Sequence, residues 1–407
     1  MDRKQKWSLW SLSSVPLVMT LGNSMLIPVL PLIEKKLNIT DLQVSLIITI
    51  YSIVAILLIP IAGYLSDKWG RKKVIIPSLL IAAIGGAFTG WVSWKFNNPY
   101  MWILIGRVIQ GVGSAGAMPV VIPCVGDMFE DEKQVSSGLG LVETSNTLGK
   151  VLSPILGSLL ASFVWFLPFW FIPVLCIISI ILIIFFVKPP KQKQEAPPLK
   201  AFLQNVKAIL CEKGRWLFPI FLLGGIVMFI LFGVLFYLSS ILETKYHLDG
   251  VWKGFVLAIP LASLSITSYV SGKKIGNNKT VMKWCVCIGF FLLGLSLIIP
   301  IFFKNIYIII VSLIISGIGI GGILPSLDAL ITEGIEKEQR GSITSLYSSM
   351  RFVGVAAGPP VFALLMKGPD NFLFYLSIFL ALAGAILAFC FIKPKMDEKR
   401  GLENKEA

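Results

Sequence analysis

Five ionisable residues lie within long apolar stretches of this sequence. They are Arg107, Glu143, Lys150, Asp328 and Arg351. A charge in such surroundings is costly unless water or another group compensates it, so each of these residues is a candidate functional residue. Two of them carry carboxyl groups, and a carboxyl group that alternates between dry and wet surroundings can take up and release a proton. The sequence therefore predicts proton exchange at Glu143 and Asp328.

The polar residues near Glu143 recur at helical spacing. Glu143, Asn146, Thr147 and Lys150 share one face of a predicted helix, and Pro154 continues that face. Glu143 and Lys150 are separated by about 10 Å along the helix axis, which is too far for a direct ion pair. The stripe either lines a water-filled cavity or bridges to neighbouring helices. We prefer the cavity, and the structural bridge remains the alternative.

The composition is that of a membrane protein. The 407 residues are 56% hydrophobic and 14% charged. We find twelve apolar stretches, each of the roughly 20 residues that a helix needs to cross a bilayer. Lysines and arginines gather near both termini and in alternate loops, which predicts a multi-pass protein of the cell membrane with both termini in the cytoplasm. The net charge of +14 is then an orientation signal, and we predict no nucleic-acid partner.

Several function classes are disfavoured because their motifs are missing. The six cysteines have no metal-binding or disulfide spacing, and the single histidine falls in a predicted external loop. The sequence contains no phosphate-binding GxxxxGK[ST] motif and no pairing of a nucleophile with a base. We therefore predict that the protein is not an enzyme, binds no metal and needs no cofactor.

The chain divides into two related halves. We predict an N-terminal bundle at residues 1–187, a proline-rich cytoplasmic linker at 188–215, and a C-terminal bundle with a short cytoplasmic tail at 216–407. A pattern in the fourth apolar stretch recurs in the tenth, where Gly111, Gly113 and Pro119 correspond to Gly317, Gly319 and Pro325. Such a repeat indicates two six-helix bundles related by an axis along the membrane normal.

A charged loop between the second and third apolar stretches carries the most specific motif. Its sequence, GYLSDKWGRKK at residues 63–73, places one acidic residue among four basic residues and two glycines. This loop resembles, at every defining position, the loop between helices 2 and 3 of the major facilitator superfamily. Segments 106–113 and 140–157 resemble motifs of its twelve-span drug:proton antiporter group, although Ser153 stands where that group has glycine.

The resemblance implies an all-α membrane protein with twelve transmembrane helices in two pseudo-symmetric six-helix bundles. It also implies a secondary transporter that uses the proton gradient to export a small amphipathic compound, either a drug or a siderophore-like metabolite. We expect a monomer in the lipid bilayer. A proton-coupled importer on the same fold and a lipid-handling flippase remain as alternatives.

The predicted site has three parts. Proton coupling is assigned to Glu143, Asp328 and Arg107, the last because it matches the arginine of the antiporter group. The predicted substrate cavity is lined by Asn23, Asn146, Thr147, Lys150, Tyr347 and Arg351. Three bases against two acids inside the membrane favour an anionic or zwitterionic substrate. The predicted conformational latch and hinge comprise Gly63, Asp67, Gly70, Arg71, Asp127, Gly149, Pro154 and Gly157.

Roles within the latch and hinge follow partly from the resemblance and partly from the residues. The resemblance implies that Asp67 contacts the start of the eleventh span and that Arg71 pairs with Asp127. Gly149 and Gly157 lie eight residues apart in the fifth span, so they share a helix face and permit close approach of a neighbour. Pro154 between them removes a backbone hydrogen bond and bends the helix.

Overall fold

The structure is a computed structural model that describes residues 3–129, 132–187, 199–275, 278–335, 337–368 and 371–392. Within these ranges the chain forms helices and no strand. The helices are α1 (Arg3–Ser24), α2 (Leu30–Leu37), α3 (Asp41–Trp69), α4 (Arg71–Lys95), α5 (Tyr100–Met128), α6 (Glu132–Phe163), α7 (Leu167–Phe186), α8 (Leu199–Thr244), α9 (Gly250–Ile275), α10 (Lys279–Phe302), α11 (Ile306–Gly334), α12 (Lys337–Leu365) and α13 (Phe372–Phe391).

The first predicted span is interrupted by prolines. A short 3₁₀ turn at Ile27–Val29 separates α1 from α2. Pro28 lies within this 3₁₀ turn, and Pro31 lies in the first turn of α2. Proline lacks a backbone donor but fits the start of a helix, so the chain restarts rather than continuing straight. Together α1 and α2 make span 1, and α3 to α13 make spans 2 to 12.

In the part of the chain that the structure describes, eleven helical segments are long and apolar enough to cross a membrane, with α1 and α2 counted as one. The remaining predicted span, α6, is not among them. Its 32 residues carry the polar stripe from Glu143 to Lys150, which lowers its apolar content. Such a helix is stable in a membrane only if neighbouring helices cover its polar face.

The helices pack as two bundles with matching interfaces. In the first bundle α1 packs on α6 and α7, and α4 and α5 pack on each other. In the second bundle α8 packs on α12, and α10 packs on α11 and α13. The two most extensive helix contacts between the bundles are α3 with α12 and α6 with α9. Each pair joins the second span of one half to the fifth span of the other, as expected of two pseudo-symmetric bundles.

The predicted linker at 188–215 is only partly described. Residues 188–198 lie outside the described residues, as do 393–407 of the predicted tail. Residues 199–215 are helical and continue without a break into the seventh span as the 46-residue helix α8. The sequence explains this continuity, because no proline occurs between Leu199 and Pro219.

Candidate functional site

Four charged side chains from the two bundles come together at the bundle interface. Glu143 and Lys150 lie on α6, Asp328 on α11 and Arg351 on α12. Arg351 Nη1 lies 3.3 Å from Asp328 Oδ1. The charge of Lys150 interacts with the charges of the other three residues. We call these four residues the interface charge cluster, and it unites two predicted proton-coupling residues with two predicted cavity residues.

A hydrogen-bond chain holds Glu143 in place. Asn146 Nδ2 donates to Glu143 Oε1 at 3.3 Å and to Oε2 at 3.2 Å. Thr20 Oγ1 of α1 donates to Asn146 Oδ1 at 2.6 Å, which fixes the orientation of the amide. The Thr147 hydroxyl instead donates to backbone carbonyls of its own helix. The predicted polar stripe is therefore tied to α1 at Asn146, while Thr147 contributes its carbonyl to a bond from Ser265 of α9.

Lys150 is buried without a bonding partner. Its side chain is 7% exposed, and its Nζ donates no hydrogen bond to any of the described residues. The helical spacing predicts that Glu143 and Lys150 lie too far apart for a direct ion pair, and the two side chains form none. Lys150 lines a cavity between the bundles together with Ser24, Ile27, Pro154, Leu231, Phe232, Leu235, Leu257 and Leu261.

Tyr347 lies beside Arg351 on α12. Its side chain is buried, and its ring centroid lies 5.6 Å from the guanidinium carbon of Arg351. The ring of Phe221 on α8 lies 6.2 Å away. Gly224 lets α8 approach this ring, because a Cβ there would lie 2.6 Å from it. Tyr347 is thus held between the two helices next to the interface charge cluster.

Arg107 lies in a separate network inside the first bundle. Its side chain is fully buried and donates to Ile47 O at 2.8 Å, Gln110 Oε1 at 2.6 Å and Asn23 Oδ1 at 2.7 Å. Its guanidinium also lies 4.4 Å from the ring centroid of Tyr51. These acceptors are all neutral, and Asn23, which the sequence analysis placed in the cavity, is one of them. The arrangement holds a permanent positive charge at a fixed point.

The charged loop forms a tight turn with an ion network. Gly70 ends α3 and begins α4 with φ +99°, a conformation that glycine adopts without strain. Arg71 pairs with Asp67, and its Nε lies 2.9 Å from Asp127 Oδ2. The pair between Arg71 and Asp127 is the one that the resemblance implies. At Gly63 a Cβ would lie 3.0 Å from Ser345 Oγ of α12, so α3 and α12 meet here.

The implied contact between Asp67 and the start of the eleventh span stays a prediction. Residue 336 and the side chains of residues 337–340 lie outside the described residues.

Comparison with known proteins identifies the family. The sequence matches the model of the family described as Major Facilitator Superfamily over residues 12–282 and 281–407. The chain belongs to the major facilitator superfamily. It is 57% identical over 390 residues to the Bacillibactin exporter of Bacillus subtilis (strain 168), with 96% of this chain and 97% of that protein covered. The resemblance read from the charged loop is therefore confirmed.

Two further comparisons agree with this assignment. The chain is 24% identical over 389 residues to Multidrug resistance protein 2 of Bacillus subtilis (strain 168), with 93% of each protein covered. The crystal structure of the human organic anion transporter MFSD10 (TETRAN) has a TM-score of 0.75 at 17% sequence identity, covering 95% of this chain and 100% of that chain. The predicted fold of two six-helix bundles is confirmed, and the chain is a multi-pass membrane protein of a transporter superfamily.

In this superfamily fold, α6 packs against both bundles through small residues. A Cβ at Gly149 would lie 3.2 Å from Leu17 O, and a Cβ at Gly157 would lie 2.1 Å from Met25 O, so both glycines face α1. The carbonyl of Pro154 faces Gly254 of α9, where a Cβ would lie 2.4 Å away. Helix α6 therefore lies directly between α1 of its own bundle and α9 of the other.

A second ion network joins the bundles at the opposite end of the helices from the charged loop. Glu243 of α8 pairs with Lys35 of α2 at 2.8 Å and with Lys253 of α9 at 2.7 Å. Nearby, Lys367 lies 3.4 Å from Asp41 of α3. Two of these ion pairs connect one bundle to the other, namely Lys35 with Glu243 and Asp41 with Lys367.

Sequence patterns did not predict this network. Neither Glu243 nor Lys253 was among the predicted site residues, yet the Lys253 side chain is only 2% exposed within α9. The available signal was the position of Lys253 at the start of an apolar stretch, where a charge needs a partner. Its partner Glu243 lies on the preceding helix, and the helical period does not reveal such a pairing.

Proposed function

We propose that this protein exports a siderophore of the bacillibactin kind across the cell membrane in exchange for protons. The observation that carries the proposal is the 57% identity, over nearly the full length, to a Bacillibactin exporter. We further infer that it works as a monomer, with both termini in the cytoplasm and with the proton gradient as its energy source. The charged loop then lies on the cytoplasmic side, and the network around Glu243 lies on the outer side.

The interface charge cluster supports proton coupling. Glu143 and Asp328 can each bind a proton, and both interact electrostatically with Lys150 and Arg351. Where charges are partly shielded from water, the loss or gain of one charge changes the energy of the others more than it would in bulk water. Protonation of either carboxylate therefore alters the affinity of the bases for an acidic substrate group. Because the cluster draws on both bundles, the same change also biases their relative positions.

Export is favoured over the two alternatives that the sequence left open, a proton-coupled importer and a lipid-handling flippase. A relative that is 57% identical to this chain is named as an exporter. No contact among the described residues favours import, and none marks a binding site for a lipid headgroup.

The proposal is tested with everted membrane vesicles that contain the full-length protein. In these vesicles the cytoplasmic face is outside, so an exporter carries bacillibactin inward. We expect accumulation when the interior is acidic and none when a protonophore collapses the gradient. Vesicles lacking the protein provide the control. Failure to accumulate bacillibactin under an acid-inside gradient would refute the proposed function.

Replacing Glu243 with glutamine is expected to favour opening on the outer side. The change removes both ion pairs of Glu243 and leaves the charge of buried Lys253 unpaired. We expect this to destabilise the conformation in which the two bundles are in contact at this end by about 3 kcal/mol. Spin labels at the exposed residues Lys36 and Lys245, in a background without native cysteines, would report a longer distance between the bundles. Pulsed electron spin resonance measures that distance.

The matched control breaks the other inter-bundle pair at the same end. Asp41→Asn removes an ion pair whose lysine, Lys367, is 55% exposed, and such pairs contribute about 0 to 1 kcal/mol. We expect its distance distribution to resemble that of the unmodified protein. Equal shifts in both variants, or no shift in Glu243→Gln, would contradict a gating role for Glu243.

A further inference from the structure

Lys150 occupies an unfavourable position in this protein on its own. Its side chain is 7% exposed, and Nζ bonds to none of the described groups. Glu143, Asp328 and Arg351 interact with it electrostatically but do not bond to it. A buried ammonium without hydrogen-bonded partners lowers stability, and a hydrophobic side chain of similar size would be more stable there. The charge therefore does not serve the stability of the helix packing.

The cavity that Lys150 lines is mostly apolar. The cavity that it lines is walled by Leu231, Phe232 and Leu235 of α8 and by Leu257 and Leu261 of α9. Lys150 itself belongs to α6 in the other bundle. A molecule in this cavity would therefore touch both bundles, with one positive charge on one side and a leucine-rich surface with one aromatic ring on the other.

We propose that Lys150 is an anion-recognition subsite of the transport cavity, where its ammonium binds an acidic oxygen of a substrate whose ring or chain packs on Leu231, Phe232 and Leu257. This inference rests on the proposed function and names the substrate class of the same site. The substrate class is an organic anion in which the charged group is attached directly to an apolar ring. The acidic group of such a ligand supplies the hydrogen-bond partner that Lys150 lacks among the described residues. The ligand contacts one bundle through this acidic group and the other bundle through its apolar ring.

Binding to the purified full-length protein tests the subsite. The probes are naphthoate and its uncharged counterpart naphthamide, which share the ring and differ in the charged group. We expect naphthoate to bind at least about tenfold more tightly, since a hydrogen bond between charged groups typically contributes that much. In Lys150→Met the preference should disappear, and in Lys150→Arg it should persist. Lys274→Met, which removes an exposed lysine near the end of α9, should leave the preference unchanged.

Thermal unfolding without ligand separates binding from a structural role. Lys150→Met removes a buried charge that has no bonding partner, so its unfolding midpoint should rise above that of the unmodified protein. A lower midpoint would mean that Lys150 stabilises the helix packing, which overturns the inference. A preference for naphthoate that survives in Lys150→Met would also overturn it, as would equal binding of both probes to the unmodified protein.

The outcomes distinguish this inference from the proposed function. If naphthoate binding depends on Lys150 but the vesicles accumulate no bacillibactin, the subsite stands and the proposed siderophore export is wrong. If the vesicles accumulate bacillibactin but neither probe distinguishes Lys150→Met from the unmodified protein, export stands and the subsite is wrong.

Discussion

Replacing Glu143 with glutamine is expected to abolish proton-driven export while the protein remains folded in the membrane. The amide keeps the size and polarity of the protonated acid but cannot release a proton. Glu143 is bonded to the neutral amide of Asn146, whereas Asp328 lies against the guanidinium of Arg351. Glu143 also lies on the polar face of α6, which packs against helices of both bundles, so we rank it ahead of Asp328 as the candidate for the exchanged proton.

Everted vesicles with an imposed pH gradient measure this effect. Accumulation of substrate in Glu143→Gln vesicles should fall to the level of vesicles without the protein, while substrate binding in detergent persists. Asp328→Asn is the matched change on α11, and we expect it to retain part of the pH-driven accumulation. Glu212→Gln, a change at an exposed residue of α8, serves as the neutral control.

The contradicting results are equally specific. Normal accumulation by Glu143→Gln, with the normal number of protons exchanged, would make Glu143 a structural residue. Complete uncoupling by Asp328→Asn alone would move the proton site to α11.

Replacing Gly254 with valine is expected to shift the conformational equilibrium strongly toward separation of α6 and α9 at their outer ends. A Cβ at Gly254 would lie 2.4 Å from Pro154 O and 2.9 Å from Ser158 Oγ, so the present packing cannot accept a side chain. Overpacking of this kind costs about 1 to 3 kcal/mol, which corresponds to a shift in populations of roughly five- to 150-fold. We expect export to fall sharply because the closed arrangement is rarely reached.

Gly272→Val is the matched control on the same helix. A Cβ at Gly272 would meet no other atom within 4 Å, so the same substitution should leave both conformation and export unchanged. Spin-label distances between the outer ends of α6 and α9 measure the shift, and vesicle assays measure export. The interpretation fails if Gly254→Val leaves the distances unchanged or if Gly272→Val has the same effect.

Local patterns in the sequence determined the spans, the polar stripe and the charged loop. Hydropathy depends on the composition of each segment, and side chains on one helix follow a fixed period. The grouping of Glu143, Asn146 and Lys150 on one face of α6 could therefore be predicted without coordinates. The same period placed Gly149 and Gly157 together, and the structure puts both glycines against α1.

The resemblance to a family supplied contacts that the helical period alone does not give. The pair between Arg71 and Asp127 joins residues 56 positions apart, and only the motif at residues 63–73 suggested it. The same motif suggested the family, because the order of its glycines and charges is specific to that family. The two-bundle fold was then expected from the family.

Apart from the pair of Arg71 and Asp127, only the tertiary structure decided which side chains on different helices are partners. The rotation and depth of each helix set these contacts, and neither quantity is encoded in a local pattern. Asp328 meets Arg351, Arg107 is bound by neutral acceptors, and Glu243 joins Lys35 to Lys253. The sequence identified Lys150 as a charge within the membrane, but only the packing of α8 and α9 against α6 shows that it has no bonding partner among the described residues. Pairing between side chains of different helices depends on how all the helices pack. In this protein the packing leaves Lys150 without a bonding partner at the place where a ligand could supply one.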